Sequence, residues 1–147
     1  MASVDVQVET VIQRPREVVA AYAADPTNAP EWYANIKAVQ WRTSPPVRVG
    51  SQMEFMATFM GRRIAYTYEV AELVPGERLV MRASDGPMAM ETTYTWTDEG
   101  AGTRMRLRNR GGPSGFATIT APVMAAAVRR ATTKDLARLK EILEAQA

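Results

Sequence analysis

Apolar and polar residues alternate along much of the chain, and this pattern predicts a mostly stranded protein with helices near both ends. The segment VDVQVET (4–10) alternates strictly and predicts a half-buried strand. REVVAAYAA (16–24) has helical spacing after a proline, and a second short helix is predicted around Pro30–Ala34. Aromatic, methionine and β-branched residues divided by turn signals then run over 36–109 and predict strands. From Phe116 onward the chain is rich in Ala, Leu and charge, which predicts a long C-terminal helix.

The first hairpin of the stranded region is predicted at Gly61-Arg62, a two-residue loop with glycine at its first position. Closing this turn pairs Phe59 with Ile64 and Phe55 with Tyr68. All these residues then lie on one face of the sheet, because side chains of a strand alternate between its two faces.

Two further turns predict the same division into faces. Pro75-Gly76 is a tight-turn signal, and Asp98–Gly102 is a longer turn. Closing them gives the pairs Val70 with Met81, Glu69 with Arg82, Trp96 with Met105, and Tyr94 with Leu107. The resulting apolar face is predicted to hold Phe55, Phe59, Tyr66, Tyr68, Met81, Met88, Met90, Tyr94, Trp96, Met105 and Leu107. The C-terminal helix offers it an apolar stripe of Phe116, Ile119, Met124, Val128, Leu136, Leu139 and Leu143.

Composition limits the chemistry that the chain can perform. Its 147 residues, 46% of them hydrophobic, suit one domain spanning 1–147 with one core. With no cysteine and no histidine, the chain has no disulfide, no thiolate zinc site and no histidine base. No apolar run reaches the length of a membrane span, so we expect a soluble cytoplasmic protein without an integral membrane segment. No acidic loop has the spacing of a metal site, and we expect neither metal nor cofactor.

The order of these elements resembles that of the START-like (SRPBCC) superfamily, specifically its bacterial polyketide cyclase/dehydrase-like branch. The matching segments are RPREVVAAYAADPTNAPEWYANI (14–36), VGSQMEF (49–55), YEVAELVPGERLVMR (68–82), ETTYTWTDEGAGTRMRL (91–107) and APVMAAAVRRATTKDLARLKEILE (121–144). The resemblance implies an α+β helix-grip fold. In that fold a curved seven-stranded antiparallel sheet wraps around a long C-terminal helix, with two short helices between strands 1 and 2. It also implies binding of hydrophobic or amphipathic small molecules between helix and sheet, and in some members their cyclisation or dehydration.

The predicted inner face carries more polar atoms than a dry core needs. Tyr66, Tyr68, Thr92, Tyr94 and Asn109 all fall on its parity. A buried hydroxyl without a partner costs about 1–3 kcal/mol, so these groups either find backbone partners or face a cavity that holds water or ligand. The resemblance favours the cavity. The candidate ligand-binding residues are Trp32, Phe55, Phe59, Tyr66, Tyr68, Met81, Met90, Tyr94, Trp96, Asn109, Phe116 and Met124, with Tyr66, Tyr94 and Asn109 as polar anchors.

Catalytic candidates are few. Tyr66 and Tyr94 are weak ones, because a phenol can donate a hydrogen bond to a substrate carbonyl or merely orient a bound molecule. Most carboxylates of the strands fall on the outward parity. The exceptions are Glu72, inward near a strand end, and Lys37, inward in one possible strand register.

Four arginines at alternate positions, Arg104 to Arg110, share the outward face of one strand. Their predicted neighbours are Thr97, Thr95, Thr93 and Glu91 on one side and Asp5, Gln7 and Glu9 on the other. Interleaved acids and threonines indicate a solvated face with cross-strand ion pairs, so we expect no nucleic-acid partner. The following GGPSG (111–115) lacks the lysine of a phosphate loop and is interpreted as a hinge at the mouth of the cavity, opposite residues 84–87, or as an ordinary connection.

Three functions remain open from the sequence. The first is binding of a lipid-, sterol- or polyketide-like molecule in an internal cavity. The second is a polyketide cyclase or dehydratase that uses tyrosine hydroxyls, and the third is a protein-interaction module with a filled core. The expected partner is a hydrophobic small molecule, and the protein is expected to be a monomer or a homodimer.

Overall fold

The chain order of the elements follows the predicted order. We describe residues 4–59, 61–83, 89–112 and 121–146 in a computed structural model. The elements are β1 (Val4–Ile12), α1 (Arg16–Ala24), a 3-10 turn (Pro26–Asn28), α2 (Ala29–Trp32), β2 (Ile36–Trp41), β3 (Gln52–Phe59), β4 (Arg62–Val74), β5 (Arg78–Ala83), β6 (Ala89–Glu99), β7 (Gly102–Gly112) and α3 (Ala121–Ala145).

The strands form one sheet with the order β1-β7-β6-β5-β4-β3-β2, in which every neighbouring pair is antiparallel. The sheet is curved and α3 packs across it, so the predicted α+β helix-grip fold is confirmed. The first and last strands of the chain are neighbours, which brings α3 back over the sheet. No helix in the described ranges is long and apolar enough to cross a membrane.

Pro15 and Asp25 mark the two ends of the first short helix. α1 follows Pro15 and covers the predicted span 16–24. Its C-terminal cap is Asp25, whose carboxylate accepts a hydrogen bond from the Thr27 N–H at 3.0 Å and so starts the 3-10 turn. The second helix, α2, begins at Ala29 rather than Pro30 and ends at Trp32, two residues before the predicted end.

The first hairpin has a different register from the predicted one. Phe59 pairs with Arg62 and Phe55 pairs with Tyr66, so the predicted pairings of Phe59 with Ile64 and Phe55 with Tyr68 were wrong. Gly61, which directly precedes the paired Arg62, has a φ of +78°. Because the register moves by two residues, each side chain keeps its predicted face.

The pairings predicted from the other two turns are confirmed, but the longer turn predicted over Asp98–Gly102 was wrong, because Glu99 pairs with Gly102 and only residues 100–101 form the loop. The structure pairs Val70 with Met81, Glu69 with Arg82, Trp96 with Met105, and Tyr94 with Leu107. These pairings, together with the first hairpin, place the aromatic residues of β3, β4 and β6 on the face that α3 covers.

The C-terminal half of α3 packs tightly on this face. Leu136, Leu139 and Leu143 are at most 2% exposed and share one core cluster with Met105 and Leu107. Nearer the start of the helix, Met124 and Val128 belong to a second cluster with Val4 and Val6. The described part of the predicted helix stripe is therefore buried as expected. Phe116, Ile119 and Met88 lie outside the described residues.

Candidate functional site

A pocket of about 110 Å³ lies between the inner face of the sheet and the middle of α3. Its lining is mostly apolar, with tyrosine, asparagine, threonine and aspartate side chains among the apolar ones. The described lining residues are Ala23, Ala24, Pro26, Ala29, Tyr33, Asn35, Ile36, Phe55, Ala57, Phe59, Ile64, Tyr66, Tyr68, Leu79, Met81, Met90, Thr92, Tyr94, Asn109, Val128, Ala131, Thr132 and Asp135.

Eight of the twelve predicted ligand-binding residues line this pocket. They are Phe55, Phe59, Tyr66, Tyr68, Met81, Met90, Tyr94 and Asn109. The lining does not include Trp32, Trp96 or Met124. Met124 borders a smaller cleft beside Val4 and Val128, and Phe116 lies outside the described residues.

The two tryptophans form a layer behind the pocket wall. Trp32 contacts Tyr33 with ring centroids 4.1 Å apart and the ring planes tilted by 36°, and Trp96 contacts Tyr94 edge-on at a centroid distance of 6.0 Å. Both are at most 2% exposed, and neither indole N–H has a hydrogen-bond partner among the described residues. Their position fixes the tyrosine rings from behind.

A chain of buried hydrogen bonds joins the sheet to α3 along one wall of the pocket. The Thr92 hydroxyl donates to Asn109 Oδ1 at 2.7 Å, so the hydroxyl of Tyr68, 2.6 Å from Thr92 Oγ1, must be the donor to Thr92. Asn109 Nδ2 in turn donates to Thr132 Oγ1 at 3.4 Å, and Thr132 donates to the Val128 carbonyl at 2.7 Å. The polar groups of Tyr68, Thr92 and Asn109 are therefore satisfied by one another and by the helix, a solution that strand parity alone did not reveal.

Tyr94 is paired as well, with a residue that the sequence reasoning missed. Its hydroxyl lies 2.5 Å from that of Tyr33, in the segment that follows α2. Whichever phenol donates, one O–H hydrogen of the pair has no partner within the pair. Tyr33 carries no periodic signal in the sequence, because it lies between a short helix and a strand.

Tyr66 differs from the other pocket tyrosines. Its ring is half-buried in the pocket wall and contacts Phe55 and Tyr68, at centroid distances of 5.7 and 5.2 Å. Its hydroxyl has no hydrogen-bond partner in the described part of the chain. Tyr66 therefore presents both a donor and an acceptor to whatever occupies the pocket.

The pocket phenols are all protonated at neutral pH. The pKa values of Tyr33 and Tyr66 are raised well above the ordinary value of a tyrosine. Burial is the largest cause, and nearby polar and charged groups add to it. Burial raises the pKa of Tyr68 to about 12, although its hydrogen bond to Thr92 opposes the shift, and burial raises that of Tyr94 as well. These hydroxyls can therefore donate hydrogen bonds, but they cannot act as phenolate bases.

Asp135 is the carboxylate of the pocket, and the sequence reasoning missed it. It lies on α3, is 4% exposed, and its Oδ1 accepts a hydrogen bond from the Ala34 N–H at 3.0 Å. Burial raises its pKa from 3.8 to about 6, and the Ala34 hydrogen bond offsets only part of this shift. Its charge also adds to the rise in pKa of Tyr33, Tyr66 and Tyr94, after the larger effect of burial.

A signal for Asp135 was present in the helix spacing. Met124, Val128, Thr132, Asp135 and Leu139 follow one another at intervals of three or four, so they lie on one face of α3. Thr132 and Asp135 interrupt this otherwise apolar stripe at the level of the pocket.

Glu72 and Lys37, the two charged residues predicted to point inward, do not line the pocket. A β-bulge after Val70 changes the parity of β4, so Glu72 points outward, where it forms an ion pair with Arg78 at 2.9 Å. Its predicted inward position was wrong. Lys37 is exposed and donates to the Ala34 carbonyl at 2.9 Å. In the described ranges no group of three or more acidic side chains is placed to hold a metal ion.

The arginines of β7 have the neighbours predicted for them. Arg108 contacts Asp5 at 2.6 Å, Arg110 contacts Glu91 at 2.7 Å, and Arg104 pairs with Glu9 and Glu99. Hydrogen bonds from the arginines, followed by their charge, lower the pKa of Asp5 and Glu9. The row of arginines is thus compensated by acids on the solvent face, away from the pocket.

Comparison with known proteins gives one family and a set of similar folds. A family model for polyketide cyclase/dehydrase and lipid transport proteins matches residues 3–144. The crystal structure of TTHA0849 from Thermus thermophilus is similar with a TM-score of 0.83 at 20% identity, covering 97% of this chain and 99% of that chain. The crystal structure of the ZhuI aromatase/cyclase from Streptomyces sp. R1128 is similar with a TM-score of 0.78 at 15% identity. The match covers 97% of this chain and 94% of that chain.

A plant protein has a similar fold too. Ginseng major latex-like protein 151 from Panax ginseng gives a TM-score of 0.74 at 12% identity, covering 99% of this chain and 98% of that chain. No curated protein matches the sequence significantly. At these identities the structural similarities establish the fold alone. The family model spans nearly the entire chain, and the chain therefore belongs to the polyketide cyclase/dehydrase and lipid transport family of the START-like (SRPBCC) superfamily.

Proposed function

We propose that this protein binds a hydrophobic or amphipathic small molecule in the pocket between the sheet and α3. The observation that carries the proposal is the Tyr66 hydroxyl, which lies in an otherwise largely apolar lining and has no hydrogen-bond partner in the described ranges. The hydroxyl is not among the fully buried unpaired atoms of the described residues, so it faces the open space of the pocket, where a ligand oxygen or nitrogen can form a hydrogen bond with it.

The volume of the pocket bounds the part of the ligand that it can enclose. About 110 Å³ is close to the roughly 150 Å³ of an engineered apolar cavity that holds one benzene molecule. The pocket thus suits a single ring or a short aliphatic segment with one polar group. A longer lipid- or polyketide-like ligand would require displacement of side chains along the lining.

A pocket-filling substitution tests this proposal. Ala131 lines the pocket from α3, so Ala131→Leu is expected to weaken the binding of 2-phenylethanol, a neutral single-ring probe, by about tenfold or more, because the added side chain occupies the probe's space. Titration calorimetry or chemical-shift titration measures the change in Kd.

The matched control is Ala137→Leu, the same substitution at an exposed position of the same helix. It should leave the Kd unchanged. No binding of 2-phenylethanol to the unmodified protein, together with no small-molecule mass on native mass spectrometry of protein purified from its own host, would contradict the proposal.

Cyclisation or dehydration of a bound carbonyl compound is a second candidate function. Tyr66 favours it, because a protonated phenol without a partner can donate a hydrogen bond to a substrate carbonyl and stabilise the developing enolate oxygen. Tyr94, the other candidate from the sequence, is engaged with Tyr33 and is less available.

Tyr66→Phe distinguishes catalysis from binding. With a linear poly-β-ketone substrate, a catalytic hydroxyl predicts that kcat falls by about a hundredfold while the substrate Kd changes by less than about tenfold. The control is Tyr22→Phe, which removes a hydroxyl that interacts with Glu31 and does not line the pocket. Equal losses in turnover and affinity, or no turnover in either protein, would leave binding as the function.

A further inference from the structure

We propose that the pocket selects ligands with a protonated amine head group, which the Asp135 carboxylate binds, and that it discriminates against carboxylate and phosphate head groups. This inference rests on the proposed binding function and specifies the class of ligand.

The first support is the charge of the lining. The described residues that line the pocket include one ionisable acid, Asp135, and no lysine or arginine. A fatty acid or phospholipid head group would enter a low-dielectric site without a cation and with a carboxylate already present. Such like-charge contacts are costly when water is excluded.

The second support is the geometry of Asp135. Its residue is 4% exposed, Oδ1 accepts the Ala34 N–H, and no second donor contacts the carboxylate in the described ranges. Nor does Asp135 form an ion pair with any described residue. Oδ2 is not among the fully buried unpaired atoms of the described residues, so it borders open space and keeps acceptor capacity that a ligand cation can use.

Charged side chains do surround Asp135 on its other side, but they do not neutralise it. Glu31 beside Trp32, Lys37 on β2, and Lys134 and Arg138 on α3 line a surface groove that Asp135 also borders. None of these side chains forms an ion pair with Asp135 in the described ranges, and the pKa of Asp135 is raised by burial and lowered by the hydrogen bond from the Ala34 N–H. Towards the pocket, its neighbours are the protonated phenols of Tyr33, Tyr66 and Tyr94.

The phenols complete the recognition of an amphipathic amine. The Tyr66 hydroxyl and the remaining O–H of the Tyr33–Tyr94 pair can contact a ligand oxygen, while the aromatic lining accepts a ring or alkyl segment. Aromatic faces also attract ammonium groups. The arrangement therefore suits a ring or short chain that ends in an amine.

Three probes with one scaffold and different head groups test the inference: phenethylamine, 2-phenylethanol and phenylacetate. At pH 7.5 we expect phenethylamine to bind about tenfold more tightly than 2-phenylethanol, because a charge-assisted hydrogen bond is about twice as strong as a neutral one, and phenylacetate to bind most weakly. Asp135→Asn should remove the amine preference and leave the affinity for 2-phenylethanol within about twofold. Glu141→Gln, the same change at an exposed position of α3, should leave the order of the three probes unchanged.

The pH dependence of probe binding to the unmodified protein tests the same inference without requiring that the Asp135→Asn variant folds. Lowering the pH from 7.5 to 5 protonates Asp135. This should raise the Kd of phenethylamine about tenfold and leave the Kd of 2-phenylethanol unchanged. If 2-phenylethanol binds but phenethylamine is no tighter, or phenylacetate binds as tightly, the amine inference is wrong and the proposed binding function stands. If none of the three probes binds, the amine inference is wrong. If native mass spectrometry of protein purified from its own host also shows no small-molecule mass, the proposed binding function fails as well.

Discussion

Replacing Leu139 with alanine is expected to lower the free energy of unfolding by about 2–5 kcal/mol, measured by urea denaturation. Leu139 is 0% exposed and belongs to the main core cluster, where α3 meets the sheet. Truncation removes buried apolar contacts and leaves a cavity that tightly packed neighbours fill only in part. The loss should therefore reflect both the transfer of the side chain and the cavity that remains.

Two comparisons on the same helix make this result specific. Ile142→Ala, at a half-buried position, should cost clearly less than Leu139→Ala. Ala131→Leu, which points an added side chain into the pocket, should change stability by less than about 1 kcal/mol, because it fills space that is already empty. A loss below about 1 kcal/mol for Leu139→Ala would mean that Leu139 is not tightly packed between α3 and the sheet as described.

The faces of the sheet could be predicted from the sequence because they depend on parity. The first hairpin was placed two residues out of register, with Phe59 opposite Ile64 instead of Arg62, and this error left every side chain on its correct face. Parity failed at Glu72, where the bulge after Val70 reverses inside and outside. No residue in that stretch carries a bulge signal as clear as the glycine of a turn.

Membership of the pocket wall was also largely predictable, whereas the partners of its polar groups were not. Tyr66 and Tyr94 have the same parity and chemistry in the sequence. In the structure Tyr94 contacts Tyr33, from a segment more than 60 residues earlier in the chain, whereas Tyr66 has no partner in the described ranges. Hydrogen bonds between residues this far apart depend on the helix and sheet being in place, which local patterns do not encode.

The position of Asp135 shows a further limit. Its spacing from Val128 and Leu139 places it on the buried face of α3, so its burial was open to prediction. Its significance depends on the neighbouring pocket and on the absence of a cation from the described lining, which follow from tertiary structure.

Asp135→Asn is expected to raise the free energy of unfolding at pH 7.5 by up to about 3 kcal/mol, because it removes a buried charge that lacks a cationic partner. Asparagine has nearly the same shape, and its Oδ1 can still accept the hydrogen bond from the Ala34 N–H. Most single substitutions destabilise a protein, so a stabilising one at a buried polar position is a distinctive result.

The pH dependence of this difference follows from the direction of the pKa shift. The folded-state pKa of Asp135, about 6, is above its ordinary value of 3.8, so the folded protein binds the proton more tightly than the unfolded chain. The contribution of this group to stability is present below about pH 4 and is lost as the pH rises through 6. The advantage of the variant should therefore be near zero at pH 4 and largest above pH 7.

Urea denaturation of both proteins at several pH values measures the difference directly, and Glu141→Gln supplies the control at an exposed carboxylate. The difference between variant and parent is the relevant quantity, because hydrogen bonds and charge also lower the pKa of Asp5, Glu9 and Glu91, which makes both proteins less stable in acid. A variant that is no more stable than the parent at pH 7.5 would show that the carboxylate is already solvated or compensated. The amine-binding inference would then lose its basis, since a ligand cation gains most where the protein leaves a buried charge without a partner. A stabilised variant that no longer prefers phenethylamine would show that one carboxylate weakens the fold and selects the ligand, as expected where local stability is given up for binding.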